Sequence, residues 1–252
     1  MIATFGKGGF IGSYLPPEFV GVDVDVRTEP WEWPKWLSIA PEAVLNLACV
    51  QPARGVFSEE EYERTNAEGF WHVCIWAFNN RIRKVITMLS QKTALEGEIG
   101  KLVRTDRDVM ETINGMVLNE GERLIGLRLP PVIGPGPYIA KSGLGQMIEG
   151  AKQGRIEVWG DPSASRAVIS AHDVVSAIQY LVRSDLQGVY SIGIPLSLES
   201  EAQTVREVFG GELVYRPEID NKISQDIEVT GIPGWEPEWT FREMVEELKG
   251  VE

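Results

Sequence analysis

The sequence predicts an α/β fold: a parallel sheet, shortened in its first half, followed by a small C-terminal lobe. Three observations carry that reading. Short apolar runs alternate with helix-like stretches over roughly the first 130 residues. A glycine-rich turn, "TFGKGGFIGS", directly follows the first apolar run. After "LPPVIGPGP" (129–137) the alternation loosens, because a Gly/Pro cluster marks a loop leaving the sheet.

Taken in order, the apolar runs Ile2–Phe5, Val20–Val26, Ala43–Ala48, Lys84–Leu89 and Arg123–Arg128 read as strands. Ser58 reads as the N-cap of a helix over 59–79, with Glu61 three residues on completing a capping box. A second long helix is expected over 106–119, ended by "NEGE". Strand–helix–strand alternation argues for parallel strands with helices on both faces. Beyond the Gly/Pro loop come a helix over 143–154, a short strand "IEVWG" and a helix over 173–183. A strand "GVYSIG" and a final helix over 240–248 follow. The chain is expected to divide into a sheet domain over 1–134 and a smaller, partly interleaved lobe over 135–252, a length sufficient for both.

Composition narrows the function classes. A net charge of -13, spread along the chain, argues against attraction to nucleic acid or an anionic membrane. No apolar run is long enough for a membrane span, and the opening "MIATFGKGG" lacks the basic segment of a signal peptide. Cys49 and Cys74 lie in apolar runs ("NLACVQ", "WHVCIW") and read as reduced core residues of a cytoplasmic protein. Neither of the two histidines pairs with Cys or a carboxylate at ligand spacing, so no metal site is expected.

Gly6, Gly9 and Gly12 form the pattern G-x-x-G-x-x-G immediately after a strand. The spacing has a mechanism. Without side chains the backbone turns tightly, approaches a pyrophosphate and presents amides at a helix N-terminus. Phe10 and Ile11 seat that helix on the sheet, and with the glycines they are candidate dinucleotide contacts. Pro16 and Pro17 stop the helix within about a turn. The alternative is a structural β–α turn whose glycines serve only positive φ.

"GKGGFIGSYL" resembles the opening of the extended short-chain dehydrogenases/reductases, the NAD-dependent epimerase/dehydratase group that modifies nucleotide sugars. Further segments agree in order and spacing. "AVLNLA" (43–48) looks like the family's fourth strand with the small-residue loop, here Leu47 and Ala48, beside the cofactor. "YERTNAEGFWHVCIWA" looks like the following helix, with Asn66 at the family's asparagine, and "VITMLS" like the fifth strand, ending at the catalytic Ser/Thr region. "LRLPPVIGPG" resembles the sixth strand and its "R-P-x-x-V-Y-G-P-G" loop, and "VWGDPSASRAVISAHDVVSAI" resembles the substrate-lobe stretch "G-D-G-x-x-x-R-D-x-x-x-V-x-D-V". The resemblance covers nearly the whole chain and implies a Rossmann-like sheet, a nicotinamide cofactor (NAD or NADP) and a nucleotide-sugar ligand.

Three departures stand beside these matches. The family places two further strands between the glycine loop and Ala43, where this chain has the single run "FVGVDVDVR". The ribose-binding acid would then be Asp23, with Asp25 matching the later acid near the adenine, unless both merely end a strand. The family's Tyr-x-x-x-Lys pair, which exchanges a proton with the sugar as hydride moves, is missing. "LVRTDRDVME" puts Val103 and Arg107 at its positions. Valine carries no exchangeable proton, and arginine is a poor acid or base at neutral pH. The stretch from Ser90 to Arg107 is also shorter than the family's. Ser90, Lys92, Thr93, Arg107 and Tyr138 are therefore the candidates for relocated acid/base chemistry.

In the lobe, the resemblance gives Arg166 the family's clamp on the nucleotide diphosphate, a task suited to a planar, bidentate guanidinium. A salt bridge to Asp161 or Asp173 is the alternative. Asp173 reads as a helix N-cap and His172 as structural. Phe70, Trp71, Trp76 and Phe78 give helix 59–79 more aromatic surface than one buried stripe needs. They suggest a family-type homodimer through helices 59–79 and 106–119, with a simple core helix as the alternative. Two readings of function follow: an NAD(P)-dependent epimerase, dehydratase or reductase of a nucleotide sugar with non-standard acid/base residues, or a catalytically inactive relative that binds a nucleotide or sugar nucleotide as a regulator or partner. A scaffold without a ligand is a third possibility, disfavoured by the intact glycine loop.

Overall fold

A computed structural model of the chain describes residues 1–33, 41–51, 55–91, 97–115, 121–136, 139–219 and 229–250. In chain order the first elements are β1 (Ile2–Phe5), α1 (Phe10–Ser13), β2 (Phe19–Val22), β3 (Ala43–Asn46), α2 (Glu59–Tyr62) and α3 (Gly69–Asn79). Next come β4 (Lys84–Ser90), α4 (Gly97–Gly115), β5 (Arg123–Leu129), β6 (Val132–Ile133), α5 (Gly143–Lys152), β7 (Arg155–Trp159) and β8 (Ser165–Ser170). The chain continues with α6 (Ala171–Arg183), β9 (Gly188–Ser191), β10 (Ile194–Ser197), α7 (Leu198–Phe209), β11 (Glu212–Arg216) and α8 (Phe241–Lys249). Two compact units result, Met1–Leu129 with Val175–Ser191, and Pro130–Val174 with Ile192–Glu252.

The first unit is built on a six-stranded sheet in the order β2-β1-β3-β4-β5-β9, every adjacent pair parallel. This is the parallel α/β sheet that the alternation predicts. β1 and β3 are buried at every position, as strands covered on both faces must be, and apart from Thr4 and Asn46 their side chains are apolar. Phe5 stands at the centre of the core, in contact with the Trp33 ring (5.3 Å) and edge-on to Trp76 (5.5 Å, 84°). β2 stops at Val22, short of the expected run to Val26. Past Asp23 the chain bends, and Thr28 N donates to Asp25 O at 3.0 Å.

The capping box at the start of the 59–79 helix forms as expected: Ser58 Oγ accepts from Glu61 N (3.1 Å), and Glu61 Oε2 accepts from Ser58 N (2.7 Å). Between α2 and α3, Glu63–Glu68 widens into a π-helical stretch that carries the buried Asn66. That side chain holds the loop after β3 from both sides, accepting from Val50 N (2.8 Å) and donating to Val50 O (3.1 Å). The next helix starts at Gly97, not at residue 106. Gly97 and Gly100, poor helix formers, hide its first turns from a propensity reading. Of the four aromatic residues on helix 59–79, Phe70 and Trp76 are buried and Phe78 packs partly on the same core, leaving Trp71 exposed.

The second unit holds a three-stranded sheet in the order β10-β8-β6 and a parallel pair β11-β7. Its core runs from Ile133 through Leu144, Val168 and Val205 to Met244. Side-chain caps start three of its helices: Ser142 Oγ on Gly145 N, Ser197 Oγ on Ser200 N, and a Thr240–Glu243 capping box at α8. The strands β8, β10 and β11 and the helix α7 were not anticipated from the sequence. Among the described residues no helix is long and apolar enough to cross a membrane.

Candidate functional site

The strand order reverses at β1, with β2 on one side and β3 on the other. In open parallel sheets the crevice at such a point, beyond the carboxyl ends of the strands, is where ligands bind. Gly6 lies there with φ +73, and a Cβ at that position would stand 2.7 Å from Leu47 C and Ala48 N. The backbone turn and the close approach of the β3 loop therefore both demand glycine. Gly9 N donates to Gly6 O at 3.0 Å, and Gly9 caps α1. A Cβ on Gly12 would come within 1.9 Å of Lys7 O. The four-residue α1 carries Phe10 and Ile11, both half-buried. One turn contributes little macrodipole, so any phosphate here would rest mainly on loop amides.

Asp23 follows β2 directly, and its neighbour Val22 is in register with Phe5 of β1. Its carboxylate is exposed and makes no hydrogen bond or ion pair among the described residues. Asp25 is engaged: Arg27 Nε and Nη2 reach it at 2.8 and 2.7 Å, and that guanidinium hydrogen bond holds the carboxyl below its usual range. Arg27 is thus occupied by Asp25.

A second group gathers at the carboxyl ends of β4 and β5, where α4 packs. Ser90 is the last residue of β4. Its N–H donates at 2.7 Å to Asp106 Oδ2, from a side chain only 6% exposed. Burial pushes the Asp106 carboxyl up to about 7, against the opposing pull of the Ser90 N–H and the Arg128 charge. The buried Gln91 donates from Nε2 to Arg128 O at 3.3 Å. Val103 and Arg107 lie on the same helix. Val103 is half-buried and Arg107 is exposed, without an ion pair among the described residues. Lys92, Thr93 and Tyr138 lie outside the described residues.

Asp106 is the residue that sequence reasoning missed. Its signal was present: Leu102, Val109 and Ile113 are buried at helical spacing, and Asp106 is the carboxylate in that stripe.

In the second unit, Arg166 on β8 pairs with Glu201 of α7, not with Asp161 or Asp173. Glu201 is fully buried, and its carboxyl is raised by desolvation against the pull of Arg166. Arg166 Nε and Glu201 Oε2 have no hydrogen-bond partner among the described residues. Asp173 is not an N-cap. α6 begins at Ala171, with Ser170 Oγ accepting from His172 N (3.1 Å). Asp173 instead accepts from Glu238 N (2.9 Å) and Trp239 N (3.2 Å), tying down the strap before α8. His172 stacks on Trp239 at 4.6 Å and meets Glu247 at 2.8 Å, a structural role.

Comparison with known proteins bears on this geometry. Residues 111–193 match the NAD dependent epimerase/dehydratase family, which agrees with the resemblance drawn from the motifs. No curated protein sequence matches the chain. Among solved structures, RMD from Pseudomonas aeruginosa complexed with NADPH superposes with a TM-score of 0.76 at 18% identity, over 99% of this chain and 96% of that one. The ADP-L-glycero-D-manno-heptose-6-epimerase of Helicobacter pylori gives 0.76 at 14% identity, over 99% and 94%. The Bordetella bronchiseptica enzyme WbmG in complex with NAD and UDP gives 0.74 at 13%, over 99% and 94%. The chain has the fold of these proteins along nearly its whole length.

Proposed function

We propose that this chain, matched over residues 111–193 to the NAD dependent epimerase/dehydratase family, binds a nicotinamide dinucleotide and acts on a nucleotide sugar as an epimerase, dehydratase or reductase. The observation that carries the reading is Gly6, held at φ +73 against the backbone of Leu47 and Ala48 where the strand order reverses. The cofactors named with RMD and WbmG support the dinucleotide, and the UDP named with WbmG supports a nucleotide-linked substrate. On this reading Gly6, Gly9, Phe10, Ile11, Gly12, Leu47 and Ala48 hold the pyrophosphate half. The bound nicotinamide would supply hydride transfer.

Asp23 is the acid for the adenosine ribose. A free carboxylate there accepts from a 2′-hydroxyl and repels a 2′-phosphate, which favours NAD over NADP. Calorimetric titration with NAD, NADH, NADP and NADPH tests the reading, followed by UDP- and dTDP-sugars. Asp23→Ala should weaken NAD about tenfold, the worth of one hydrogen bond to a charged group, while leaving NADP unaffected or tighter.

The acid/base groups are non-standard, with Ser90 at the end of β4 the described candidate closest to the family's catalytic position. The inactive-relative reading is favoured by Val103 and the exposed Arg107 where the family pair belongs. A sugar nucleotide held without any dinucleotide would establish it. Arg166 is the proposed diphosphate clamp. A cytoplasmic location and a homodimer through helix 59–79 and α4 complete the reading, the exposed Trp71 supporting the latter. Trp71→Ala should then shift the protein toward monomer in light scattering.

A further inference from the structure

The pair that moves protons in the family is absent here, yet a carboxyl group sits one helical turn from Val103. Asp106 is on α4, whose next residue is Arg107. One of its oxygens is fixed by the Ser90 N–H at 2.7 Å, at the end of β4. The other, Oδ1, accepts no hydrogen bond among the described residues. Ser90 is in register with Leu129, so the carboxyl group lies beside the carboxyl ends of two central strands.

We propose that the Asp106 carboxyl group is the proton-exchanging group of this site. This rests on the reading of the chain as a dinucleotide-dependent enzyme. As the carbinol carbon of the sugar is oxidised, its hydride, which carries both electrons, would be taken up by the oxidised nicotinamide. The hydroxyl proton passes to Asp106 Oδ1, leaving a carbonyl and a neutral carboxylic acid. Reduction in the reverse direction returns both.

The surroundings suit that role. Arg128 on β5 is the charge whose field reaches Asp106. Ser90 and Gln91 after it are neutral. β9 offers only Tyr190, whose hydroxyl donates to Gln187 O. On α4 itself Arg104 is paired with Glu59, and Arg107 and Asp108 are exposed, as are Glu63, Arg64 and Glu68 of the π-helical stretch. Burial thus leaves the carboxyl group able to titrate near neutral pH, where proton exchange is most efficient.

The test needs no knowledge of the sugar. A positively charged oxidised nicotinamide beside Asp106 favours the carboxylate, so binding NAD⁺ or NADP⁺ at pH 7 should release about half a proton per site. The uncharged ring of NADH or NADPH should release none. Calorimetry in buffers of different ionisation enthalpy reads this number directly. Asp106→Asn keeps an acceptor for Ser90 N but cannot titrate; it should bind the oxidised dinucleotide within threefold of wild type and release no proton. Asp108→Asn, exposed on the same helix, should behave as wild type. Equal release in Asp106→Asn and wild type, or none in wild type, overturns the assignment. Failure of every dinucleotide to bind overturns the underlying reading instead. Should Asp106→Asn not fold, the ¹³C titration of the wild-type Asp106 carboxyl decides: a downward move on adding NAD⁺ or NADP⁺ supports the proposal, and no move overturns it.

Discussion

Gly12→Ala should cost the protein about 3 kcal/mol or more and remove the proposed dinucleotide site in the same step. The added Cβ would stand 1.9 Å from Lys7 O, 2.5 Å from Lys7 C and 2.8 Å from Lys7 Cα. These are backbone atoms, so no rotamer change relieves the contact, and the loop from Lys7 to Gly9 must move away from α1. Overpacking of this kind typically costs 1–3 kcal/mol, and rigid backbone on both sides puts this case at the upper end. Lys7 also anchors the loop, its Nζ donating to Phe19 O at the start of β2, so the displacement reaches the sheet edge. Gly8→Ala is the control. Nothing lies within 4 Å of a Cβ there, and its stability should stay within about 0.5 kcal/mol of wild type. Urea denaturation of both variants, with dinucleotide titration, separates a glycine kept for folding from one kept for a ligand. Equal stability of the two would show that the loop accommodates a side chain at residue 12.

Arg166→Ala should destabilise the second unit by about 3–5 kcal/mol at pH 8. The side chain is 16% exposed and its partner Glu201 is 0% exposed, so truncation leaves a buried carboxylate without its counter-charge. The pH dependence follows from the direction of the Glu201 shift. Its folded-state pKa is raised above the unfolded value, so its contribution is most favourable below the unfolded pKa and is lost as pH rises through the folded one. Removing Arg166 takes away the interaction that opposes desolvation, so the loss grows. The gap between variant and wild type should therefore widen from pH 4 to pH 8 in denaturation experiments. A gap independent of pH would mean that packing of the arginine stem, not charge, is what the variant loses. The double variant Arg166→Met with Glu201→Leu should recover most of the stability, because a buried ion pair is seldom better than apolar side chains of similar volume. Glu201→Gln has the opposite functional consequence. It releases the guanidinium and should tighten a bound nucleotide diphosphate if Arg166 is the clamp.

The parts legible in the sequence are those that short-range physics fixes. β1 is read to the residue because Ile2–Phe5 is buried on both faces and so is apolar but for Thr4, up to the glycine turn that ends it. The start of the 59–79 helix is equally secure, since Ser58 and Glu61 satisfy each other's backbone N–H groups within four residues. Gly6 and Gly12 announce themselves because only a hydrogen atom fits between neighbouring backbones. The stretch 194–216 failed for the complementary reason. Its strands β10 and β11 are four and five residues long, only partly buried, and their pairing partners β8 and β7 lie tens of residues earlier.

The site divides along the same line. The sequence by itself determined a parallel α/β sheet, a glycine turn at its first strand and a single acid-ended run where two strands would otherwise stand, because each depends on neighbours a few residues away. Only the tertiary structure decided which charges are spent and which are available. Asp25 is taken by Arg27 while Asp23 has no partner among the described residues, Arg166 is held by Glu201, and Asp106 is buried against Ser90. Burial and partnership set the protonation and availability of a charged group. For Arg166 and Asp106 they come from residues 35 and 16 positions away, brought close by strand pairing and helix packing that no local pattern encodes.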